Sequence, residues 1–484
     1  MAGSCVARMP DGSGAPDDVR LAGTFRVYPM RLSVFDRRRA GVLLHLGSLD
    51  AALGRGGRAF IDWLADAGYS VWQILPVGPT GSDGSPYWLR SDYAGRYAFV
   101  DRQELPDPSS PEFESFQAAS AHWLPDYALF EAYGAARNWE PWWHWPTDVR
   151  DREPAAIERV RRELASEIQR VKAEQFAFAV QWRKLREHAQ HRGVRLLGDL
   201  PFYVAPDSAE TWIHRSMFQL DSTGKPTAIA GVPPDYFSED GQLWGNPLYD
   251  WRAIEADHFG LWRNRVVQQL ERVDALRIDH FRALAAHWAV PAGAPNARGG
   301  EWRPTPGRKL MGLLQQELGD IPIVAEDLGV ITDDVEALRK DFRMPGMKVL
   351  QFAFGGTGDN PHLPHMHERD CVVYTGTHDN DTTVGWYATL DGESLRRVDY
   401  FLGLTSGLRP TPGAIADALI RATLGSVAQL AVIPVQDLLR LGSEARMNTP
   451  GTATGNWTWK LPAGALTPEL ARESVLLNKV YGRA

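Results

Sequence analysis

Carboxylates recur at four places where a short apolar run turns polar. These are Gly198-Asp199-Leu200-Pro201, Arg277-Ile278-Asp279-His280, Ala325-Glu326-Asp327-Leu328-Gly329 and Thr377-His378-Asp379-Asn380. If the runs are strands of one sheet, the acids gather at one edge, repel one another and lose water. Stability does not repay that cost, so a site is the natural explanation. In Leu276–Arg282, strand alternation points Arg277 and Asp279 to the same side, and the guanidinium holds the carboxylate ionised. An ionised, oriented carboxylate is what covalent glycosyl transfer needs as nucleophile. Taken alone, the heptapeptide reads more simply as a structural ion pair, and the other acids change that reading.

Glu326 follows the apolar run Ile323–Ala325 with no cation beside it in sequence, so burial raises its pKa as a general acid requires. Two carboxyls about 5–5.5 Å apart perform retaining glycoside chemistry, one attacking the anomeric carbon and the other protonating the leaving oxygen. Asp379, with His378 beside it, can grip sugar hydroxyls and stabilise an oxocarbenium-like transition state. The same acids with His378 could in principle hold a divalent ion, but the fixed cation Arg277 opposes a second one nearby. His362, His365 and His367 resemble a ligand set, yet they lie in a Pro-rich loop and read as surface. Gly54-Arg55-Gly56-Gly57 lacks the spacing and the Lys of a phosphate loop and reads as a turn. No metal or other cofactor is expected.

The elements that must position these acids are short apolar runs alternating with amphipathic stretches. Strands are expected at Val42–Leu46, Val71–Leu75, Val194–Leu197, Ala275–Ile278, Ile323–Ala325, Lys348–Phe352, Val372–Thr375 and Leu430–Pro434. Helices fit at Arg58–Ala67, Ala155–Arg192, His258–Arg272, Gly307–Leu318, Asp333–Asp341 and Pro412–Val427. That alternation predicts an α/β fold, a (β/α)8 TIM barrel, whose strand C-termini build the site. The first strand ends near His45 and the eighth near Gln436-Asp437. Long stretches follow the second and third strands, and residues 78–160 and 200–256 read as subdomains walling the cleft, inside one catalytic unit over 21–484. Residues 1–20, rich in Gly, Pro and Asp, read as a disordered tail.

Composition narrows the class. The chain has 484 residues, 44% hydrophobic and 23% charged, which describes a soluble globular protein. A net charge of -8 argues against nucleic acid and anionic membrane surfaces as partners. Two cysteines exclude a disulfide framework. No run is long and apolar enough to span a membrane, and the first residues lack a signal-peptide core, so a cytoplasmic location is expected. Eighteen Trp and fourteen Tyr are either core or platforms for sugar rings, and composition does not decide between them.

Leu276–Arg282, Ala325–Gly329 and Thr375–Thr383 resemble the catalytic motifs of the amylomaltases, the 4-α-glucanotransferases of the α-amylase clan. The resemblance extends over Leu75–Gly81, Gly198–Val204, Gly231–Ser238, Gly241–Trp251 and Arg446–Trp459. It implies transfer of α-1,4-glucan segments between maltooligosaccharides, without a cofactor, by double displacement. Asp279 would then be the nucleophile, Glu326 the general acid/base and Asp379 the transition-state stabiliser. Arg277 and His378 would flank them, Asp199 would bind donor hydroxyls, and Tyr87 would stack on the donor ring. Trp244, on what resembles a mobile lid loop, and Asn448 would lie at the acceptor side. A hydrolase of the amylase type and a catalytically silent carbohydrate binder are the rival readings.

Three stretches depart from the family pattern. Leu46-Gly47-Ser48-Leu49-Asp50 stands where relatives have Pro-Thr-Ser-Leu-Pro, and Leu53–Gly57 replaces Gly-Ile-Gly-Asp. After Ser85-Pro86-Tyr87, relatives continue with Gln-Ser and a run ending Gly-Asn-Pro, whereas this chain has Trp88–Tyr97. All three lie on loops after the first two strands. A retained reaction with shifted donor or acceptor preference is the expectation they raise.

Overall fold

The computed structural model describes residues 33–484 apart from 235–237 and 405–409. The tail expected at residues 1–20 therefore lies outside the described residues, as do Asp235, Tyr236 and Phe237.

Twelve strands form among the described residues. In chain order they are β1 (Arg39–Leu43), β2 (Val71–Gln73), β3 (Arg195–Leu200), β4 (Ala228–Val232), β5 (Gln242–Pro247) and β6 (Ala275–Ile278). They continue with β7 (Ala286–Pro291), β8 (Glu301–Pro304), β9 (Ile323–Ala325), β10 (Gly346–Val349), β11 (Cys371–Tyr374) and β12 (Leu430–Pro434). Eight pair in parallel in the order β10-β11-β12-β1-β2-β3-β6-β9. The two ends of that order meet where Ala325 N–H donates to Pro345 O at 2.9 Å, which nearly closes the sheet into the expected (β/α)8 barrel.

Alternation along these strands builds two cores. Leu43, Val71, Leu197, Ala275, Val324, Val349, Val372, Leu430 and Val432 pack together inside the barrel. Their neighbours Val42, Trp72, Leu196, Leu276, Ile323, Val373, Ala431 and Ile433 pack outward against the helices. Strands buried on both faces must be apolar throughout, as β12 is. The inward set continues up the barrel with polar groups: Tyr374 Oη donates to Gln73 Oε1 at 2.9 Å, and above them stand Asp199 and Arg277.

Three expected strands, β6, β9 and β12, have the predicted bounds. The first begins at Arg39 instead of Val42, because its ladder with β12 starts there. A charged residue opens that strand because Arg39 is buried on Asp36 and Ser70, a pairing no hydrophobicity pattern shows. The single helix expected over Ala155–Arg192 is two, Pro154–Glu163 and Ala165–His191, with the break at Leu164. The aromatic wealth is largely core: Trp142 and Trp145, from the stretch between β2 and β3, are buried with Tyr127, Phe130 and Trp212, the last from the helix after β3.

A second sheet was not anticipated. It is antiparallel with order β5-β4-β7-β8, joining the hairpin after β3 to a hairpin after β6. The lid-like segment Gly231–Gly245 therefore has strand at both ends, Gly231 lying in β4 and Gly245 in β5. No described helix is long and apolar enough to cross a membrane.

The exit of β3 is fixed by Arg265, whose side chain is fully buried. Its Nε donates to Asp92 Oδ2 at 2.6 Å, Nη2 to Pro201 O at 2.7 Å and Nη1 to Phe202 O at 3.1 Å. Replacing one partner of such a pair strands the other charge in a dry interior. Arg265→Ala is expected to lose about 3–5 kcal/mol of stability, read as a lower urea midpoint. A midpoint within experimental error of the parent would show that Arg265 does not hold this turn.

Candidate active site

The site begins in the ladder between β3 and β6, where Asp199 is the direct partner of Arg277. Arg277 Nη1 donates to Asp199 Oδ1 at 2.8 Å and Oδ2 at 2.7 Å, while Nη2 donates to Asp279 Oδ1 at 2.9 Å. The guanidinium side chain is 5% exposed, Asp199 0% and Asp279 32%, so the chain of charges runs from the barrel interior out to the cleft. Burial works against the guanidinium's charge, but Asp199 and Asp279 outweigh it and raise its pKa well above the ordinary value. Asp199 also accepts the Tyr87 hydroxyl at 2.6 Å. Asp199 has no exposed side-chain surface, and both its oxygens are engaged by Arg277 and Tyr87.

Glu326 stands one barrel strand further on, at the end of β9. Its Oε2 accepts His280 N–H at 2.7 Å and its Oε1 accepts Leu328 N–H at 3.0 Å. His280 is left-handed, with φ 50° and ψ 49°, the turn that brings its N–H to the acid. Burial pushes the Glu326 carboxyl up to about 8, and the charge of Asp279 adds to it, against Arg277 and the two backbone N–H groups. Burial also brings the His280 imidazole down to about 3, so it is neutral in the physiological range.

Asp379 is half-exposed on the opposite side of the cleft. Asn448 Nδ2 donates to its Oδ1 at 2.6 Å, and His378 Nε2 lies 3.3 Å from its Oδ2. Burial raises the carboxyl, but His378, Asn448 and Arg277 more than reverse that and bring it to about 2. The loop carrying Asp379 is held from beneath by Asp437, which accepts Thr375 Oγ1 at 2.5 Å, Thr383 N–H at 2.7 Å and Thr383 Oγ1 at 2.8 Å. Asp437, at the end of β12, is thus a buried brace for this loop.

Tyr87 lies over the His378 ring, with centroids 5.1 Å apart and planes at 18°. Trp244 meets the His280 ring edge-on at 4.6 Å. All nine residues singled out from the sequence thus join in one run of contacts, from Trp244 through His280 and Glu326 to Asp279, Arg277, Asp199, Tyr87, His378, Asp379 and Asn448. Sequence reasoning missed three further members. Trp457 lies 5.9 Å from His378 and 6.1 Å from Tyr87, Tyr203 packs 6.2 Å from His280, and Arg446 Nη2 donates to Asp379 O at 2.6 Å. Two of the three fall inside Arg446–Trp459, so the signal was the motif's length and not its acids.

The surface reading of the histidine cluster holds for His365, which is exposed, and is corrected for His367. His367 is buried, with Nδ1 2.7 Å from Ser426 Oγ and Nε2 2.9 Å from His362 O, and the half-buried His362 accepts Val349 N–H at Nδ1. Among the described residues, no three His, Cys, Asp or Glu side chains are grouped as a metal ion would require. Asp327, next to Glu326, points away from the cleft to Met347 N–H and Arg339.

The departing loops flank the same cleft. Lys460 Nζ donates to Gly47 O at 2.6 Å, beside the His45 ring. Arg90 is committed to Glu131 and Thr80 O. A Cβ built on Gly245 would stand 3.5 Å from the tip of Trp88, so the loop after β2 touches the hairpin after β3.

A family model described as 4-alpha-glucanotransferase matches residues 44–109 and 98–467. The 4-alpha-glucanotransferase of Thermus thermophilus is 43% identical over 482 residues, covering 89% of this chain and 96% of that protein. That of Synechocystis sp. is 42% identical, covering 93% and 99%. Among solved structures, an amylomaltase from Streptococcus agalactiae in complex with acarbose superposes with TM-score 0.87 at 31% identity, covering 93% of this chain and all of that one.

The raised Glu326 carboxyl makes a stability prediction. The fold keeps its proton up to about pH 8, whereas the unfolded chain releases it near its ordinary value of 4.5. Between those values the native state binds the extra proton, so stability falls as pH rises. Glu326→Gln cannot titrate. Measured by urea unfolding, its stability relative to the parent is expected to improve steadily from pH 4.5 to pH 8, whatever constant offset the amide introduces. A difference that stays flat across the window would refute the raised pKa.

Proposed function

The chain belongs to the 4-alpha-glucanotransferase family, and from that premise we propose that Asp279, Glu326 and Asp379 carry the transfer in this protein. It is a retaining double displacement in which the Asp279 carboxylate attacks the anomeric carbon of an α-1,4-linked donor. Glu326 gives its proton to the departing glycosidic oxygen, leaving a glycosyl ester on Asp279. The 4-hydroxyl of an acceptor glucan then loses its proton to Glu326 and attacks the same carbon, freeing Asp279. The observation that carries this reading is the contrast between neighbours: a carboxylate bound by Arg277 beside a carboxyl that keeps its proton to about pH 8.

Asp379 stays ionised because His378 and Asn448 hold it, and so faces the oxocarbenium-like transition state with full charge. Tyr87 supports the donor ring beside His378, with Asp199 and Arg277 fixing both. Trp244 and Asn448 belong to the acceptor side. Residues 78–160 and 200–256 wall the cleft as subdomains within one catalytic unit; of the expected span 21–484, residues 21–32 lie outside the described residues. The substrates are maltooligosaccharides, no cofactor takes part, and the protein works in the cytoplasm.

Incubation with maltotriose should yield glucose together with chains longer than three units. Glucose and maltose without elongation would instead mean hydrolysis, and an unchanged substrate would mean a silent binder. Asp279→Asn should abolish turnover while maltotriose binding, followed by calorimetry, persists; surviving turnover would exclude Asp279 as nucleophile.

The altered loops support a shifted chain-length preference, since Trp88 reaches Gly245 across the cleft wall. Different kcat/KM values for maltotriose and longer maltodextrins are expected. Equal values would leave the loop changes without consequence for selection.

A further inference from the structure

Glu326 depends on two loops at once. One of its oxygens takes an N–H from His280, on the turn after β6, and the other from Leu328, on its own loop after β9. The distance between those loops therefore sets where the carboxyl points. One backbone bond, Phe281 N–H to Glu326 O at 3.2 Å, joins them close to the acid. Further along, Asp327 is turned away to Arg339, and Gly329 and Val330 are exposed, Val330 by 63%.

Arg282 fills the gap. It sits in the short turn Phe281–Leu284, and its Nη1 donates to Val330 O at 2.8 Å and Thr332 Oγ1 at 3.1 Å. Thr332 immediately precedes the helix Asp333–Asp341, so the guanidinium ties the outer half of the Glu326 loop to a rigid element and to the Asp279 strand together. The guanidinium plane is itself held, its Cζ lying 3.9 Å over the Trp302 ring. Trp302 belongs to β8, and across the antiparallel sheet Trp302 pairs with Trp288, Trp288 with Gly231 and Gly231 with Leu243. Leu243 precedes Trp244, whose ring returns to His280. The contacts form a closed frame around Glu326, with Arg282 as the strut between the catalytic loops and the second sheet.

We propose that Arg282, stacked on Trp302, is a positioning residue for the general acid/base, holding the loop after β9 at the spacing from His280 that aims Glu326 at the glycosidic oxygen. The proposal rests on the acid/base reading of Glu326. Arg282 exchanges no proton with substrate, and its effect passes through the placement of that carboxyl. A lysine would keep the charge but lose the flat guanidinium face that lies on the Trp302 indole while one nitrogen bonds Val330 O and Thr332 Oγ1.

The test compares two donors that differ in their need for an acid. Maltotriose loses a sugar alkoxide and requires protonation, whereas α-maltotriosyl fluoride loses fluoride and requires little. General acid catalysis is worth roughly 10²–10⁴-fold, so a displaced acid should cost a good part of that on maltotriose alone. Because Glu326 is also the base when the acceptor attacks, the readout is the pre-steady-state release of the first leaving group: Arg282→Ala is expected to slow that release from maltotriose by at least ~30-fold and from the fluoride by less than ~3-fold. Arg282→Lys and Trp302→Leu should fall between Arg282→Ala and the parent with the same donor contrast, and they serve if the alanine variant fails to fold. Glu326→Gln is the reference. If Glu326→Gln shows the contrast and the Arg282 and Trp302 variants slow both donors alike, Arg282 is structural only and the proposal is overturned, with Glu326 still the acid. If Glu326→Gln itself lacks the contrast, the acid assignment and the proposal fall together.

Discussion

One buried guanidinium organises this site. Arg277 divides its donors between Asp199 beneath it and Asp279 above it, with Nε left against the sulfur of Met347. Two carboxylates share one cation, so neither could tolerate its loss in a dry setting. The pairing follows from strand register, because Asp199 and Arg277 are direct partners in the β3–β6 ladder. A slip of one residue would turn Arg277 outward with Asp279 and leave the buried Asp199 without its cation. The inward alternation of two neighbouring strands therefore decides where Arg277 meets Asp199 and Asp279, before any loop contributes.

Around that axis the fold gives three acids three environments. Glu326 is crowded and flanked by the charge of Asp279, and its pKa rises to about 8. Asp379 has His378 and Asn448 as partners and falls to about 2. Asp279 is tied directly to Arg277. Carboxyls of one chemistry are thus separated by neighbours into a proton donor and charged groups, which is what acid and nucleophile in one cleft require. The braces behind them follow the same logic: Asp437 fixes the Asp379 loop from below, and His280 and Leu328 offer main-chain N–H groups to Glu326. Main-chain donors lose no side-chain entropy on being ordered, so they place the acid more firmly than a flexible partner would.

How much of this was legible in the sequence depended on periodicity. Strands such as β6, β9 and β12 are short apolar runs ending at a charged or turn residue, and their bounds could be read directly. The acids at their ends could be read as well, because alternation and strand order gather them at one rim. The hairpin β7–β8 could not. Its residues include His287, Trp288, Trp302 and Arg303, whose mixed polarity comes from one face meeting the barrel and the other meeting water. The roles of Asp437, His367 and Arg282 were also hidden, since each acts through a hydrogen bond to a segment distant in sequence, and a lone polar residue carries no period. Aromatic count was ambiguous for a related reason: Trp142 and Trp212 serve a core and Trp244 a cleft, and only burial tells them apart.

The second sheet explains why a barrel that could hydrolyse a glycosidic bond can instead hand the sugar on. After the first displacement, water and an acceptor hydroxyl compete for the same ester, and water is present at far higher concentration. The acceptor wins only if its binding is realised in the transition state and the site is otherwise dry. Strand β5 grades along its length from exposed Gln242 and Leu243 to buried Asn246 and Pro247, with Trp244 at the change. Side chains alternate along this edge strand, so Leu243, 37% exposed, faces away from the side on which Trp244 meets the His280 ring and offers an apolar indole. That surface suits a sugar face better than it suits water. The same sheet reaches Arg282 through Trp302, whose ring lies 3.9 Å from the guanidinium carbon, so the strand carrying Trp244 and the turn carrying His280 are joined by contacts at both ends.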